Sequence, residues 1–180
     1  SRPIYFVRNN VGEPINSRFE EKNAVVSGDE KTLVYNVKLQ FYDALYYSKK
    51  VNGRWTAPIN IIPDLGVDGD VYATGLSYGG TELYIYRNDN YDGNLYVTRL
   101  VNGKWTPLTR LGDNINTKYW ESHASLSADG KTLVFTSNRK PGFGGLDIYT
   151  ATRNDTNNIL WTNIRNVGPN VNSEFNEETP

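Results

Sequence analysis

Cysteine and methionine are both absent from the 180-residue sequence, and histidine occurs once, as His123. The lack of cysteine excludes disulfides, thiolate metal sites and a cysteine nucleophile. A single histidine also argues against a metal site built from several imidazoles. Because the chain begins at Ser1 and contains no methionine, we expect it to be a processed or excised piece of a longer protein.

The sequence also lacks a charge excess and long apolar runs. Lys and Arg number 19 and Asp and Glu number 20, so the formal net charge is −1. Without a basic excess to neutralise phosphates, we expect no nucleic-acid partner. No apolar run approaches the roughly 20 residues that span a bilayer, so no membrane insertion is expected. No window has the 3.6-residue period of a helix, and almost no helix is expected.

What the sequence does have is a repeat of about fifty residues. VNGRWT starts at Val51 and returns as VNGKWT at Val101, and EKTLVYNV, GTELYIYR and GKTLVFTS follow the same spacing. Each unit is predicted to form four short strands, with Asn-Gly pairs in type I′ hairpin turns. Four strands per repeat are typical of an antiparallel β-propeller blade. The repeated Trp55, Trp105 and Trp161 are expected to pack in the core between blades.

The predicted propeller divides into unequal parts. We assign an outer strand of a preceding blade and a linker to 1–16, three blades to 17–66, 67–116 and 117–170, and the start of a further blade to 171–180. Closed propellers have four to eight blades. We therefore expect either a window on a longer propeller, which we favour, or self-association that closes the ring.

The third unit, ESHASLSADGKTLVFTSNRKPGFGGLDIYTATR from Glu121 to Arg153, closely resembles the PD40 repeat, also called the WD40-like or TolB-like propeller repeat. The pattern is an acid, S-x-D-G-K-x-L-x-F-x-S-N-R, a Gly-rich loop and D-I-Y. The first unit keeps Glu21 and Ser27 but lacks the S-N-R tripeptide, and the second has Val71 in place of the acid. This resemblance implies a β-propeller fold.

The linkers before the blades, with Ile-Asn or Val-Asn followed by Ser or Thr, resemble those in propellers of Bacteroidetes cell-envelope proteins of the OmpA family. Some proteins of this kind act in the type IX secretion machinery, and others resemble TolB, a periplasmic partner of the Tol-Pal system. The resemblance implies a non-catalytic module in the periplasm or at the outer membrane that binds an envelope protein or peptide, without identifying it. The alternative is a glycan-binding or glycan-processing propeller, in which Tyr119 and Trp120 would stack on sugar rings.

Candidate site residues come from the repeat and from departures from it. The binding candidates are Glu21, Tyr119, Trp120, Glu121, His123 and Arg139. Glu21 and Glu121 share one blade position, where they either cap a turn or form an acidic rim for a cation or basic peptide. Trp120 is not required by the repeat, so it either packs against a blade or is a binding hot spot. His123 is either a structural residue or a ligand-binding or catalytic one, and Arg139 is expected to brace a neighbouring loop.

Evidence for catalysis or a cofactor is weak in the sequence. RNDNYDGN, from Arg87, offers Asp89 and Asp92 as possible calcium ligands, although it does not match an EF-hand loop. No G-x-S-x-G nucleophile elbow is present. Prolyl-oligopeptidase-type enzymes carry such a propeller beside a separate catalytic domain, and the sialidase box is not matched. We therefore expect no cofactor and no enzymatic activity.

Overall fold

The computed structural model describes residues 9–89 and 92–180. Within them nearly all of the regular secondary structure is β-strand, as the sequence predicts. The strands are β1 Glu20–Val26, β2 Thr32–Lys38, β3 Asp43–Val51, β4 Arg54–Trp55, β5 Ile59–Asn60, β6 Val71–Leu76, β7 Glu82–Asp89, β8 Asp92–Val101, β9 Lys104–Trp105, β10 Thr109–Arg110, β11 Glu121–Leu126, β12 Thr132–Ser137, β13 Asp147–Thr152 and β14 Thr162–Asn166. The outer strand expected within 1–16 falls largely on residues outside the described part.

These strands form three antiparallel sheets, one for each repeat. The first sheet has the order β1-β2-β3-β4 with β5 also on β3, the second has β6-β7-β8 with β9 and β10 on β8, and the third has β11-β12-β13-β14. In the first two blades the expected fourth strand is split into two short pieces. Pro58 and Pro107 follow the first piece, and proline cannot donate a ladder hydrogen bond. The third blade has no proline there, and β14 is continuous.

Hairpin turns of the same residue types recur in different blades. Asn52 and Gly53 have φ of 50° and 77°, and Asn102 and Gly103 have φ of 50° and 80°, so both pairs adopt the type I′ geometry predicted from sequence. At the opposite corner of the blade, the Ser127 hydroxyl donates to Asp129, which accepts from the Lys131 amide. Each blade therefore closes its hairpins with local hydrogen bonds.

One short helix was not predicted. Helix α1, Ile62–Leu65, lies in the linker between the first two blades, and it buries Ile62 and Leu65. Pro63 fits the first helical turn, where an N–H has no partner in any case. Gly66 ends the helix with φ of 71°. Periodicity could not indicate this element because a single turn has no repeat to detect.

The cores lie between neighbouring blades. Val34, Leu45 and Tyr47 of the first blade pack on Leu83 and Ile85 of the second. Tyr84, Leu95 and Val97 use the same positions to pack on the third blade. Trp105 and Trp161 are buried in these two cores, as expected from the repeat. Burial of each Val, Leu or Ile side chain in these cores contributes about 1.5 to 3 kcal/mol to the free energy of folding. Neighbouring blades therefore stabilise one another.

Candidate binding groove

The innermost strand of each blade carries a β-bulge at the same level. The register shifts between Lys22 and Val25 in β1, between Ala73 and Gly75 in β6, and between Ser122 and Ala124 in β11. An extra residue at a bulge leaves the ladder and turns its side chain in a new direction. Asn23, Thr74 and His123 lie at these bulges.

His123 owes its position to the bulge. Its φ is 42°, close to the 51° of Asn23 in the first blade. This left-handed conformation is several-fold enriched in Asn and His among non-glycine residues. The imidazole Nδ1 lies 3.0 Å from the Ser122 hydroxyl, which lies 3.0 Å from the Thr136 hydroxyl. Within 9–89 and 92–180 no hydrogen bond joins Nε2 to another residue.

Three aromatic side chains, Tyr72, Tyr86 and Trp120, lie beside His123. The rings of Tyr72 and Tyr86 stack with centroids 6.1 Å apart, and the ring of Trp120 lies 5.8 Å from Tyr86. The Lys22 ammonium lies 5.7 Å from the Tyr72 ring centre. Burial raises the pKa of both tyrosines, so both hydroxyls are neutral hydrogen-bonding groups near pH 7.

Two adjoining cavities join the bulges to the aromatic rings. One, of about 290 Å³, is lined by Tyr72, Tyr86, Trp120 and His123. The other, of about 220 Å³, also contacts His123 but continues along Ala24 and Val25. We call the two together the inner-strand groove; its lining residues used below are Asn23, Tyr72, Thr74, Tyr86, Trp120 and His123. This groove is polar at the bulges and aromatic at one end.

Glu121 lies outside the groove and ties the linker to the third blade. Its carboxylate accepts hydrogen bonds from the Thr117 amide and hydroxyl, at 2.8 and 2.7 Å, and from the Ser137 hydroxyl at 2.7 Å. The side chain is fully buried. Glu21 accepts from the Ser17 amide at 3.0 Å in the first blade. We call this arrangement the Ser/Thr–Glu clasp.

Arg139 braces the same linker. Its guanidinium donates to the carbonyls of Asn114 and Ile115 at 3.0 and 2.6 Å and lies 3.3 Å from Glu121 Oε1. Burial lowers the pKa of Arg139, and the Glu121 carboxylate opposes that shift. These contacts hold Arg139 against the linker and leave it outside the groove.

Tyr119 also lies apart from the groove-lining side chains. Its backbone amide donates to the Thr117 hydroxyl at 3.1 Å, and the Lys118 ammonium lies 5.4 Å from its ring centre. The structure therefore brings Trp120 and His123 together and separates them from Tyr119, Glu121, Glu21 and Arg139.

The two aspartates considered for calcium have different environments. Asp89 is engaged on both carboxylate oxygens, by Arg87 Nε at 3.2 Å and by the Tyr96 hydroxyl. Asp92 is exposed at the start of β8. The middle of the RNDNYDGN loop, residues 90–91, lies outside the described residues. Across 9–89 and 92–180 no group of three His, Cys, Asp or Glu side chains is placed to hold a metal ion.

Tyr72 and Tyr86 are the aromatic groove residues that sequence reasoning missed; Asn23 and Thr74 were missed as well. Tyr72 stands where the other blades have Lys22 and Ser122, and Tyr86 stands where they have Asn36 and Thr136. Both are therefore large aromatic departures from the repeat, which is the signal that singled out Trp120. Applying the same test to every aligned position would have found them.

Comparisons with known proteins bear on the fold. No family model matches the sequence, and no curated protein matches it. Among solved structures, the chain is similar to TolB from Acinetobacter baumannii, with a TM-score of 0.59, 15% identity and coverage of 87% of this chain and 34% of that one. It is also similar to a putative TolB from Agrobacterium tumefaciens, with a TM-score of 0.57, 18% identity and coverage of 82% and 46%.

A prolyl endopeptidase structure is a third neighbour, with a TM-score of 0.52 and 17% identity over 91% of this chain and 23% of that one. The chain therefore spans less than half the length of each of these proteins. The predicted β-propeller fold is confirmed. Because the neighbours include both TolB and peptidase structures, the fold alone does not decide between a binding module and part of an enzyme. Within the described residues, no helix is long and apolar enough to cross a membrane.

Proposed function

We propose that this chain is a non-catalytic propeller module that binds an extended peptide segment of a partner protein in the inner-strand groove. The observation that carries the proposal is the run of Tyr72, Tyr86 and Trp120 beside the bulged inner strands. Aromatic residues in a desolvated recess are the commonest hot spots of protein recognition. Nε2 of His123 supplies a polar contact beside them.

The inner strands themselves favour a peptide over a sugar. Among the described strands, β1 pairs only with β2, β6 only with β7, and β11 only with β12. Each inner strand therefore has one edge without a strand partner, although in β6 the Val71 carbonyl accepts from the Asn36 side chain at 2.6 Å and the Ala73 amide donates to it at 3.3 Å. Peptide groups match such an edge in both donors and acceptors. Sugar hydroxyls do not share that spacing.

We further propose that the module works in the bacterial cell envelope, in the periplasm or at the outer membrane. Two of the structural neighbours are TolB proteins, and the PD40-like repeat and linker style support a related setting. The OmpA-family and Bacteroidetes association rests on the linkers alone. Fractionation of the native host, followed by immunodetection of this chain, tests the location. Recovery only with cytoplasmic markers would contradict it.

The binding proposal is tested by selecting ligands from a random linear-peptide library displayed on phage. Selected peptides are then titrated calorimetrically into the protein and into Trp120→Ala. We expect loss of the Trp120 ring to weaken binding by about 30-fold or more, the scale of a hot-spot side chain. Tyr78→Ala is the matched control because Tyr78 is an exposed aromatic residue on the turn before β7.

A second variant separates binding from folding. His123→Asn keeps a residue that accepts the left-handed conformation, as Asn23 does in β1. We expect it to keep the melting temperature and lose affinity for the selected peptides. No selectable peptide, or equal affinities in Trp120→Ala and Tyr78→Ala, would overturn the peptide proposal.

Glycan binding is the alternative function because the ring of Trp120 could stack on a sugar. A glycan array that includes peptidoglycan fragments tests this alternative with the parent protein, Trp120→Ala and Tyr78→Ala. Binding of an oligosaccharide that Trp120→Ala abolishes and Tyr78→Ala retains would favour this alternative.

A further inference from the structure

The last residues of the chain repeat the geometry with which a blade begins. The Ser173 amide donates to Glu177 Oε2 at 3.1 Å, and the Phe175 amide donates to the Ser173 hydroxyl at 3.1 Å. The same two contacts join Thr117, Tyr119 and Glu121 before the third blade, at 2.8 and 3.1 Å. Residues 173–177 therefore form a further Ser/Thr–Glu clasp.

The similarity extends past the clasp. Thr179 follows Glu177 by two residues and has φ of 56°, as Asn23 follows Glu21 with 51° and His123 follows Glu121 with 42°. A positive φ at a threonine is uncommon because the branched side chain opposes it. Thr179 also lines the groove beside Asn23 and His123. Residues 177–180 form no paired strand, but Thr179 repeats the left-handed residue at which the first and third inner strands bulge.

We call the surface of a blade that packs on the next blade along the chain its forward face, and the opposite surface its rear face. The forward face of the third blade is the surface that a following blade would cover. Its positions equivalent to Val34, Leu45 and Tyr47 are Val134, Ile148 and Thr150, by the β12–β13 register. In the first two blades these positions are fully buried against the next sheet. In the third blade all three are only half-buried. Phe175, in the adjoining clasp, is 71% exposed.

We propose that this forward face, defined by Val134, Ile148 and Thr150, is the docking surface for a fourth four-stranded blade whose inner strand begins at Glu177. The occupant is a sheet of the same repeat type with an apolar rear face. In the second blade that face is formed by Leu83 and Ile85, and in the third blade by Leu133 and Phe135. The link between the surfaces is already fixed, because Glu177 N donates to the Leu146 carbonyl at 2.8 Å and Gly145 N to that of Phe175 at 3.1 Å.

A second copy of the chain fits the face less well. Its complementary surface would be the rear of the first blade, which carries Leu33, Tyr35 and Val37. These three side chains are already buried and pack with Ile15 and Trp55. The rear surface would have to be uncovered before another copy could reach it. The hydrogen bonds that hold Glu177 beside Leu146 favour a fourth blade over a second copy as the occupant of this face.

The test begins with the 180-residue chain and its Val134→Asp variant. We measure solution mass by light scattering and binding of the dye 8-anilinonaphthalene-1-sulfonate, which reports accessible apolar surface. We expect a monomer in both cases and weaker dye fluorescence in Val134→Asp. Tyr84→Asp is the matched control: Tyr84 holds the equivalent position but is buried between blades, so this variant is expected to unfold.

The second step supplies the missing sheet. A copy of residues 121–166 is joined directly after Asn176, so that its Glu121 takes the place of Glu177. We expect a monomer with a melting temperature higher by about 5 °C or more, since several apolar side chains become buried between the third blade and the added one. Val134→Asp in this extended chain should abolish that increase.

Two results would overturn the proposal. Rapid proteolytic removal of the added sheet, with an unchanged melting temperature, would mean that the forward face does not accept a blade. A dimer of the 180-residue chain that Val134→Asp dissociates would mean that a second copy covers this face instead.

Discussion

Arg153 and Glu82 join the third blade to the second through a buried ion pair, in which Nη1 of Arg153 lies 2.9 Å from Oε1 of Glu82. Arg99 lies 3.0 Å from Oε2 of the same carboxylate, and the Tyr84 hydroxyl donates to Oε1 at 2.6 Å. The guanidinium of Arg153 also lies 4.6 Å from the ring centre of Trp161. The Glu82 carboxylate therefore links the second and third blades, and Arg153 extends this contact to Trp161.

Replacing this carboxylate by Glu82→Gln should lower the free energy of unfolding by about 3 kcal/mol, because removing one member of a buried pair leaves the other charge uncompensated. Urea denaturation monitored by tryptophan fluorescence measures the change. Asp113→Asn is the control: the exposed pair of Arg110 and Asp113 should contribute about 0.5 kcal/mol or less. Equal losses in the two variants would contradict a special role for Glu82.

The Ser-Asp turns should make stability depend on acid pH. Hydrogen bonds from Ser27 and from the Lys31 amide lower the pKa of Asp29, and Ser127 and Lys131 do the same for Asp129. Since the folded pKa values lie below the unfolded ones, this stabilisation is present above the ordinary aspartate pKa of about 4 and is lost as the pH falls through the folded values.

Denaturation at a series of pH values from about 6 to about 2.5 tests this dependence. The double variant Asp29→Asn/Asp129→Asn should have a flatter profile over the acid part of that range. Ser127→Ala, which removes only the hydroxyl donor, should flatten the profile in part. If both variants follow the parent profile, the Ser-Asp turns are not its source.

At alkaline pH the buried tyrosines should limit stability. Burial raises the pKa of Tyr35 to about 12, with a smaller effect from Glu21, and burial and the Asp89 contact raise that of Tyr96 to about 12. Folded pKa values above the ordinary value of about 10 mean that the stabilisation is complete below pH 10 and declines as the pH rises through 12. Tyr96→Phe should reduce that decline, as measured by urea denaturation at several alkaline pH values.

Gly75 should tolerate no side chain. A Cβ at this position would collide with the Ala124 carbonyl oxygen and with Cα of Ser125, which is backbone that cannot move aside easily. Gly75→Ala should therefore cost about 2 kcal/mol or more, as overpacking does. Gly79→Ala is the control, since a Cβ there would contact nothing within 4 Å. Comparable melting temperatures would contradict the close approach of β6 and β11.

The bulge at His123 should accept few residues. His123→Val should lower stability by about 1 to 2 kcal/mol, because a β-branched side chain resists the left-handed conformation. His123→Gly should be nearly neutral or stabilising in the same thermal-denaturation assay. A neutral His123→Val variant would mean that the bulge relaxes when its residue changes.

Local sequence was sufficient for the repeating elements. Asn-Gly pairs determined the hairpin turns of the first two blades, and the fifty-residue spacing of Trp55 and Trp105 predicted blades. The split fourth strands were also readable in principle, because Pro58 and Pro107 cannot donate to a ladder. These features depend on the conformational preferences of a few neighbouring residues, which act before the chain is folded.

Only the tertiary structure decided the binding groove and the roles of the aligned acids. Tyr86 and Trp120 come from different blades, and their approach depends on how β6 and β11 pack. Glu121 and Trp120 are neighbours in the chain, yet one is fully buried in a clasp and the other lines the groove. Side-chain direction at a bulge and burial between sheets depend on contacts between distant segments, which spacing within one repeat does not specify.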